Sequence, residues 1–375
     1  MTRKCQICGS KYKKIMYSQN FVENKISIIK SYDVVVCSDC GFGYADNLPS
    51  QRKFNKYYKN MSKYDVDYTN QEHNQKIFDY IRLKNKDSRI LDIGCSTGGL
   101  LTLFKENGFN NIVGIDPSKK AVEKVKSKGI NAICSTIDSL KLRTKFDLII
   151  LSSVLEHLVD LDKSMEKIVS YLNPRGLLFI EVPLCTRFKD NLFTPFQQFS
   201  IEHINYFSHW SLNNLIKKHK LEKLCQSNEL NTVNQSVDPC LFSLSVNNEF
   251  MCLRDTATET TLKTYINKSK TKEKKLIKNI EKIFKENDKL IVWGVGTHTQ
   301  MLSKYYDNSK IWCYVDSNKN YVNKQFNDKA ILEISLLRKY PFIPILISSY
   351  SYQKEIEDYI NHIGLYNKVI KIYES

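Results

Sequence analysis

The stretch that decides the fold is Leu91-Asp92-Ile93-Gly94-Cys95-Ser96-Thr97-Gly98-Gly99. This stretch begins with a short apolar run and ends in a glycine-rich turn. A second group of apolar residues begins directly after the turn. Glycines at such a turn let a ligand lie against backbone N–H groups at the start of a helix. The pattern predicts a strand, a turn and a helix, with a ligand crevice at the carboxyl end of the strand.

Helical and strand patterns alternate along the chain on both sides of this turn. They run through QKIFDYIRL, SRILDIGCSTGGLL, NIVGIDPS, INAICSTI, FDLIILSSVLEHL and GLLFIEVP. Strand and helix repeated in this order predict an α/β fold with a doubly wound parallel sheet. The second strand ends at Asp116, about 20 residues after the turn, where an acid can accept both hydroxyls of a ribose.

The spacing of the glycines distinguishes two classes of cofactor. Nicotinamide-binding domains carry G-x-G-x-x-G, whereas this chain has D-x-G-x-x-x-G from Asp92 to Gly98. The acid before the first glycine is misplaced for a pyrophosphate but suits the ammonium group of an amino acid. The spacing therefore favours a ligand with an amino-acid ammonium group over a dinucleotide.

The motifs LDIGCSTGG, VGIDPS, FDLIILSSVLEHL and LNPRGLLFIEVP resemble, in order and spacing, those of the class I S-adenosylmethionine-dependent methyltransferases. The resemblance covers roughly residues 75 to 225 and implies S-adenosylmethionine as the cofactor. It also implies which residues contact that cofactor. These are Asp92, Gly94 and Gly98 at the methionine, Asp116 at the ribose, Thr136 and Ile137 at the adenine, and Ser152 beneath the sulfonium.

Four of the 11 cysteines predict a metal site near the N-terminus. They form two copies of one pattern, Cys5-Gln-Ile-Cys8-Gly9 and Cys37-Ser-Asp-Cys40-Gly41. Each pair of thiolates can reach one ion, while the glycine that follows can take the positive φ of a tight turn. With sulfur at all four positions, we expect a structural zinc. The other cysteines are scattered singly, and we expect them to be buried as small hydrophobic residues.

A methyltransferase must place its acceptor and remove a proton from it. Two histidines are candidates for the base, His157 in LEHLVD and His203 in IEHINYFSHWSL. His203 is preferred, because the adjacent Glu202 can orient an imidazole whose ordinary pKa is near 6.5. A packing role beneath the site is the other interpretation of His203.

The order of the parts resembles the nucleotide-sugar C-methyltransferase family across nearly the whole chain. That family methylates a carbon next to a keto group on a nucleotide-linked deoxysugar. Its Tyr-His-Glu-His and Tyr-Phe-Ser motifs are matched by Glu202, His203 and a Tyr-Phe-Ser that begins at Tyr206. Ser200 and Ile201 stand where the family has Tyr and the first His, so methylation of a sugar hydroxyl or amine stays open as an alternative.

The same resemblance implies an active-site tyrosine from the segment that joins the cysteine module to the central domain. Of the tyrosines in this segment we favour Tyr64 or Tyr68, with packing as the other interpretation. Phenols can direct a sugar hydroxyl, and aromatic faces attract a sulfonium.

KLIVWGVGTHTQMLSKYY predicts a second strand-turn-helix unit, with Gly294 and Gly296 in the turn and Asp316 ending the next strand. Thr299 stands at the third glycine position, so the dinucleotide fingerprint is partial. The resemblance implies that this Rossmann-like domain closes the substrate cleft. It further implies phosphate contacts from Gly296, Thr297 and His298.

Length and composition agree with a protein of several domains. At 375 residues the chain exceeds one usual hydrophobic core. We expect a zinc-binding module over 1–60, a methyltransferase domain over 61–254 and a Rossmann-like domain over 255–375. No apolar run reaches the roughly 20 residues of a membrane helix, and no signal peptide is recognisable, so we expect a cytoplasmic protein with no membrane partner.

The net charge of +16 favours polyanionic partners. Part of this charge falls in residues 261 to 290, which we expect to form an amphipathic helix with a lysine-rich exposed face. An RNA methyltransferase with a zinc module is the main alternative, but the Asn-Pro-Pro-aromatic motif of base methylation is absent after the fourth strand. Nucleic acid is therefore an unlikely partner, and a nucleotide-linked sugar is the expected substrate.

Overall fold

The computed structural model describes residues 2–21, 28–59, 70–190, 192–233, 236–247 and 254–373. Within them the strands form three sheets. The strands are β1 (Lys13–Asn20), β2 (Ser31–Cys37), β3 (Gly43–Asp46), β4 (Ile90–Ile93), β5 (Ile112–Asp116), β6 (Asn131–Cys134), β7 (Phe146–Ser152), β8 (Leu172–Pro183), β9 (Asn205–Tyr206), β10 (Leu221–Val233), β11 (Ser236–Asn247), β12 (Leu290–Trp293), β13 (Ile311–Val315), β14 (Gln325–Phe326), β15 (Lys329–Leu332), β16 (Ile345–Ile347) and β17 (Val369–Lys371).

Helices cover these sheets and connect their strands. They are α1 (Gln51–Lys59), α2 (Gln71–Ile81), α3 (Gly99–Glu106), α4 (Lys119–Ser127), α5 (Leu161–Ser170), α6 (His209–Lys218), α7 (Ala257–Glu286), α8 (Thr297–Leu302) and α9 (Gln353–His362). In the described parts of the chain, no helix has the length and apolar character needed to cross a membrane.

The central sheet has the strand order β6-β5-β4-β7-β8-β11-β10. The strands from β6 to β8 are parallel, and β11 pairs antiparallel with β8. Apolar strands such as Ile90–Ile93 are buried on both faces, because helices pack on each side of the sheet. The doubly wound α/β sheet predicted from the glycine turn is confirmed.

The direction in which strands are added reverses between β4 and β7, and ligands of such sheets bind in the crevice at that point.

The edges of the same sheet correct one expectation about the cysteines. Cys95 and Cys185 are buried as expected, but Cys134 and Cys225 are exposed. These two lie on β6 and β10, which are the edge strands of this sheet in the described part of the chain.

The N-terminal sheet has the order β1-β2-β3-β9, and all its neighbours are antiparallel. The β-branched run Val34, Val35 and Val36 is buried in β2. The fourth strand comes from a distant part of the sequence, since Tyr206 on β9 pairs with Gly43 on β3. This sheet therefore joins the cysteine module to the segment that directly follows His203.

The C-terminal sheet has the order β14-β15-β13-β12-β16-β17. Its strands from β15 to β17 are parallel, and β14 pairs antiparallel with β15. The parallel strands are ordered as in the central sheet, with the first and fourth strands of each unit adjacent. The sequence prediction of a second strand-turn-helix unit agrees with this sheet.

The helix expected over 261 to 290 is present as α7. Leu262 and Tyr265 near its start pack into the core beside the N-terminal sheet, whereas Ile280 and Phe284 near its end pack against the C-terminal sheet. Its lysines lie on the opposite, exposed face. The helix connects two cores, and the domain boundaries at 60/61 and 254/255 stay predictions.

Candidate active site

The glycine turn takes backbone conformations that only glycine adopts without strain. Gly94 and Gly98 have φ of 80° and 81°, in the left-handed region. A Cβ at Gly98 would also lie 2.9 Å from a methyl carbon of Val125. The turn is therefore fixed both by its backbone and by its packing against α4.

Asp116, at the end of β5, is 1% exposed. One carboxylate oxygen accepts the Ser96 N–H at 3.1 Å and the other accepts the Ser118 N–H at 2.8 Å. A carboxylate oxygen can accept more than one hydrogen bond. This anchored carboxylate suits the two neighbouring hydroxyls of a ribose. Thr136 and the buried Ile137 follow β6, which lies beside Asp116 in the sheet.

Asp92 lies in the neighbouring strand, β4, and is 4% exposed. Burial raises its pKa to about 7, and the nearby Asp116 carboxylate adds to the shift. A bound ammonium group would offset both effects, because an opposite charge favours the ionised carboxylate. In the turn itself, the Thr97 hydroxyl is buried and has no hydrogen-bond partner among the described residues. These donor and acceptor groups fit S-adenosylmethionine.

Ser152 ends β7 and belongs to a buried polar chain. Its hydroxyl donates a short hydrogen bond to one oxygen of Glu181, and the other Glu181 oxygen lies 2.9 Å from Nε2 of His73. Glu181 is fully buried on β8, and His73 is 8% exposed in the first turn of α2. Sequence reasoning missed both residues. An acid within the apolar strand LLFIEVP is a signal that could have identified Glu181.

The two histidines that follow the strands lie together. The rings of His157 and His203 are 5.2 Å apart, and Nδ1 of His157 lies 3.0 Å from the backbone oxygen of Glu202. The carboxylate of Glu156 is buried beside them, 3.8 Å from Nε2 of His157. Ser200 accepts the N–H of His203 at 3.1 Å, so it holds the turn that carries the predicted base.

Tyrosines approach this pair from two sides. The Tyr57 hydroxyl donates to the Glu202 carboxylate at 3.0 Å, and the Tyr58 ring packs edge-on against His157. Burial raises the pKa of Tyr57 well above its ordinary value, and the Glu202 charge adds to this, so the phenol stays protonated. The predicted Tyr64 and Tyr68 lie outside the described residues.

Tyr206 has different surroundings from the rest of the predicted catalytic set. It is 1% exposed, packs against Phe188 and Phe199, and its hydroxyl lies 3.4 Å from that of Tyr32. These contacts favour a packing role over the catalytic role that the resemblance implies, because β9 turns this side chain into the core beside the N-terminal sheet.

The four cysteines of the repeated pattern converge. Sγ of Cys5 lies 3.4 Å from that of Cys40, and Sγ of Cys8 lies 3.5 Å from that of Cys37. A tetrahedral zinc with bonds of about 2.3 Å would hold its sulfurs about 3.8 Å apart. Both following glycines have positive φ, as expected for two tight turns. The donor set fits zinc.

The glycine turn of the C-terminal sheet has the same kind of anchored carboxylate as Asp116 in the central domain. Asp316 follows β13, and its two carboxylate oxygens accept the N–H groups of Val295 and Asn318, each at 2.8 Å. Burial raises the pKa of Tyr321, and the charges of Asp316 and Glu202 raise it further. Tyr321 is therefore close enough to both carboxylates for their charges to act on its hydroxyl.

The predicted phosphate contacts begin at Gly296, where a Cβ would meet open space. Thr297 starts α8. Nε2 of His298 lies 2.7 Å from the Tyr373 hydroxyl, and burial lowers its pKa to about 4, so the ring is neutral near pH 7. Thr299, at the missing glycine position, donates to Ser348 Oγ at 2.8 Å and so ties the turn to the end of β16.

Two family matches cover much of the chain. Residues 64–226 match the family described as a methyltransferase domain, and residues 286–371 match the family described as C2185-like, N-terminal. Together with the strand order, the first match shows a class I S-adenosylmethionine-dependent methyltransferase domain.

Curated relatives are similar over part of the chain. A ubiquinone biosynthesis O-methyltransferase of Bradyrhizobium sp. (strain ORS 278) is 34% identical over 98 residues, which cover 24% of this chain and 38% of the relative. The C-methyltransferase NovU of Streptomyces niveus is 28% identical over 138 residues, 35% of this chain and 32% of the relative. The chain thus spans well under half the length of these relatives. The solved structure of the N-methyltransferase NodS from Bradyrhizobium japonicum WM9 with S-adenosyl-L-homocysteine is 16% identical, with a TM-score of 0.40, and covers 53% of this chain and 98% of that one.

Proposed function

We propose that this protein is an S-adenosylmethionine-dependent methyltransferase that methylates a nucleotide-linked sugar at a carbon next to a keto group, with His203 as the base. The observation that carries the proposal is the cluster of His203, His157 and the Tyr57–Glu202 hydrogen bond, beside a domain of the class that binds this cofactor. The similarity to a C-methyltransferase, NovU, supports carbon rather than oxygen or nitrogen as the atom that is methylated.

In this proposal the chain's own residues bind the cofactor and move one proton. Bound S-adenosylmethionine supplies an electrophilic methyl group. Asp92 pairs with the ammonium group, Asp116 accepts the ribose hydroxyls, and neutral His203 removes the proton from the carbon next to the keto group. The proton stays on the imidazole while the enolate carbon bonds to the methyl group. The bond between that methyl group and sulfur would break, and the neutral thioether S-adenosylhomocysteine would leave. Glu202, held by Tyr57, stabilises the imidazolium that results.

The nucleotide part of the substrate is proposed to lie against the C-terminal turn. Asp316 repeats the backbone anchoring of Asp116, which supports a second ribose site there. Gly296, Thr297 and His298 are the proposed phosphate neighbours, with His298 as a neutral hydrogen-bonding group. The charges of both Asp316 and Glu202 act on Tyr321, which supports a substrate that reaches from this turn toward Glu202.

A structural zinc in the four-cysteine cluster is part of the proposal. Metal analysis should find about one zinc per chain, and Cys5→Ser should lose it, whereas the exposed Cys134→Ser should retain it. Since Cys5 lies outside the central sheet that carries the cofactor residues, Cys5→Ser should largely keep its affinity for S-adenosylhomocysteine. A fully folded wild-type protein without zinc would overturn this part of the proposal.

A sugar O- or N-methyltransferase is the second candidate. Ser200 and Ile201 replace two polar groups of the C-methyltransferase motif, and an O-methyltransferase is among the similar proteins. A hydroxyl acceptor needs only a base, and an amine acceptor need not be deprotonated at all.

The test is turnover of labelled S-adenosylmethionine with a panel of nucleotide-linked 4-keto sugars, nucleotide-linked amino sugars, free sugars and RNA. We expect labelled product from a nucleotide-linked keto sugar. Asp116→Ala should reduce the affinity for S-adenosylhomocysteine by tenfold or more, because it removes charge-assisted hydrogen bonds worth about 1.5 to 3 kcal/mol each. The exposed Asp87→Ala is the matched control. Labelling of RNA alone would overturn the proposal.

A further inference from the structure

Ser152, Glu181 and His73 form a chain of close polar contacts at the carboxyl ends of two adjacent strands, with a hydrogen bond from Ser152 to Glu181 and an ion-pair contact between Glu181 and His73. Ser152 and Glu181 are direct partners in the register of β7 and β8. Asp92, on the other side of β7, pairs with Ile150. Because alternate residues of a strand share a face, the side chains of Asp92, Ser152 and Glu181 lie on one face of the sheet. That face is covered by α2, which supplies His73.

The direction of the first hydrogen bond limits what Ser152 can do. A serine hydroxyl has one proton to donate and two lone pairs to accept with. The proton of Ser152 is committed to Glu181, and Nε2 of His73 lies 2.9 Å from the second Glu181 oxygen as an ion-pair contact. Ser152 therefore offers only acceptor capacity to a group that lies above it.

Charge adds to this polarity. Glu181 is fully buried, where the attraction between opposite charges is stronger than in water. A cation near Ser152 would be stabilised electrostatically by the acceptor oxygen of Ser152 and by the Glu181 carboxylate behind it. A neutral group of the same shape would be stabilised much less. The polarised C–H groups of a methyl on a sulfonium are suitable partners for such an oxygen.

We infer that Ser152, Glu181 and His73 form a recognition device for the positive charge of the methyl donor. Ser152 contacts the sulfonium methyl group, and Glu181 and His73 are positioning residues that fix its hydroxyl. The device distinguishes the charged donor from the neutral thioether product and so favours product release. This inference rests on the proposed binding of S-adenosylmethionine.

The test compares dissociation constants for three compounds by calorimetry. S-adenosylmethionine carries a positive sulfonium, sinefungin carries a protonated amine at the same place, and S-adenosylhomocysteine is neutral there. Glu181→Gln should weaken binding of the first two by about tenfold or more, and of S-adenosylhomocysteine by less than threefold. Ser152→Ala should show the same selectivity with a smaller loss, and the exposed Glu166→Gln should change none of the three constants.

A purely structural role for the chain would weaken all three compounds alike, and that result would overturn the inference. Unchanged constants in both Glu181→Gln and Ser152→Ala would also overturn it. If Glu181→Gln fails to fold, Ser152→Ala alone decides, since it removes the acceptor and keeps the buried acid with its histidine. Failure of the wild-type protein to bind any of the three would instead refute the proposed function itself.

Discussion

The hydroxyl of Tyr57 donates a hydrogen bond to the carboxylate of Glu202 at 3.0 Å. Tyr57 lies on α1, just after the N-terminal sheet, and Glu202 precedes His203 in the segment that supplies β9 to that sheet. The bond therefore connects the N-terminal part of the chain with the predicted base. It also fixes the orientation of the carboxylate of the residue that precedes His203.

Tyr57→Phe should lower turnover about tenfold, because it leaves the Glu202 carboxylate without a hydrogen bond worth about 1.5 to 3 kcal/mol. The affinity for S-adenosylhomocysteine should not change. The exposed Tyr366→Phe serves as the control. Steady-state kinetics with the best sugar substrate test this, and unchanged turnover would show that Glu202 needs no such partner.

His203→Gln should lower turnover by about 100-fold or more with unchanged cofactor affinity, because the amide cannot take a proton. The exposed His362→Gln should retain full activity. In the wild type the rate should fall as the pH drops, since only the neutral ring acts as a base. Retention of most activity by His203→Gln would contradict the assignment and favour an amine acceptor.

The shifted pKa of Asp92 makes the stability of the cofactor-free protein depend on pH. Its pKa rises from 3.8 to about 7 on folding. Between these values the folded protein holds a proton that the unfolded chain releases, so this residue's contribution to stability falls as the pH rises through that window. Asp92→Asn should raise the free energy of unfolding at pH 8 by about 1–3 kcal/mol and change it little near pH 4. Urea unfolding at both pH values, with Asp87→Asn as control, measures this. An equal effect at both pH values would contradict it.

The two cysteine turns offer a matched pair of glycines. Gly9 and Gly41 have φ of 79° and 80°, but a Cβ at Gly41 would lie 1.9 Å from the backbone oxygen of Asp255, whereas nothing lies within 4 Å at Gly9. Gly9→Ala should cost about 1–2 kcal/mol of unfolding free energy from its backbone conformation. Gly41→Ala should cost about 2 kcal/mol more, because Asp255 must move. Equal losses on chemical unfolding would contradict the described approach of Asp255.

The contacts of Asp255 explain why a side chain at position 41 should destabilise the fold. Its N–H donates to the Cys40 oxygen at 2.8 Å, and its carboxylate accepts the N–H groups of Ala257 and Thr258 at the start of α7. The hydroxyl of Ser208, which caps α6, donates to the same carboxylate. One buried acid thus joins the cysteine module, the central domain and α7.

Local sequence patterns were sufficient for the parallel strands of the central sheet, for α7 and for the convergence of the four cysteines, but not for the antiparallel strands β10 and β11. Each depends on neighbouring residues, whether as the glycine spacing from Asp92 to Gly98, an apolar stripe, or a repeated Cys-x-x-Cys-Gly. Proximity of His157 to His203 also follows from the fold, because both come after strands whose carboxyl ends meet at one edge.

Contacts between distant segments could not be predicted from one sequence. The pairing of Tyr206 with Gly43, the Tyr57–Glu202 bond and the role of Asp255 each depend on how separate elements dock. Tyr206 illustrates the same limit. Its motif resembles a catalytic one, but only the docking of β9 on the N-terminal sheet shows that its side chain packs in a core. The contacts of Glu181 with Ser152 and His73 likewise join separate elements, so its role does not follow from its own strand.

The central claim, methylation of a sugar carbon next to a keto group, is tested most directly by NMR of the product made from S-adenosylmethionine with a ¹³C-labelled methyl group. We predict that the labelled methyl is bonded to a sugar carbon next to the keto group and that this carbon has lost one proton. When the reaction is run in D₂O with S-adenosylhomocysteine in place of the donor, that proton should exchange in the wild type and not in His203→Gln. A labelled methyl on oxygen or nitrogen would contradict the account.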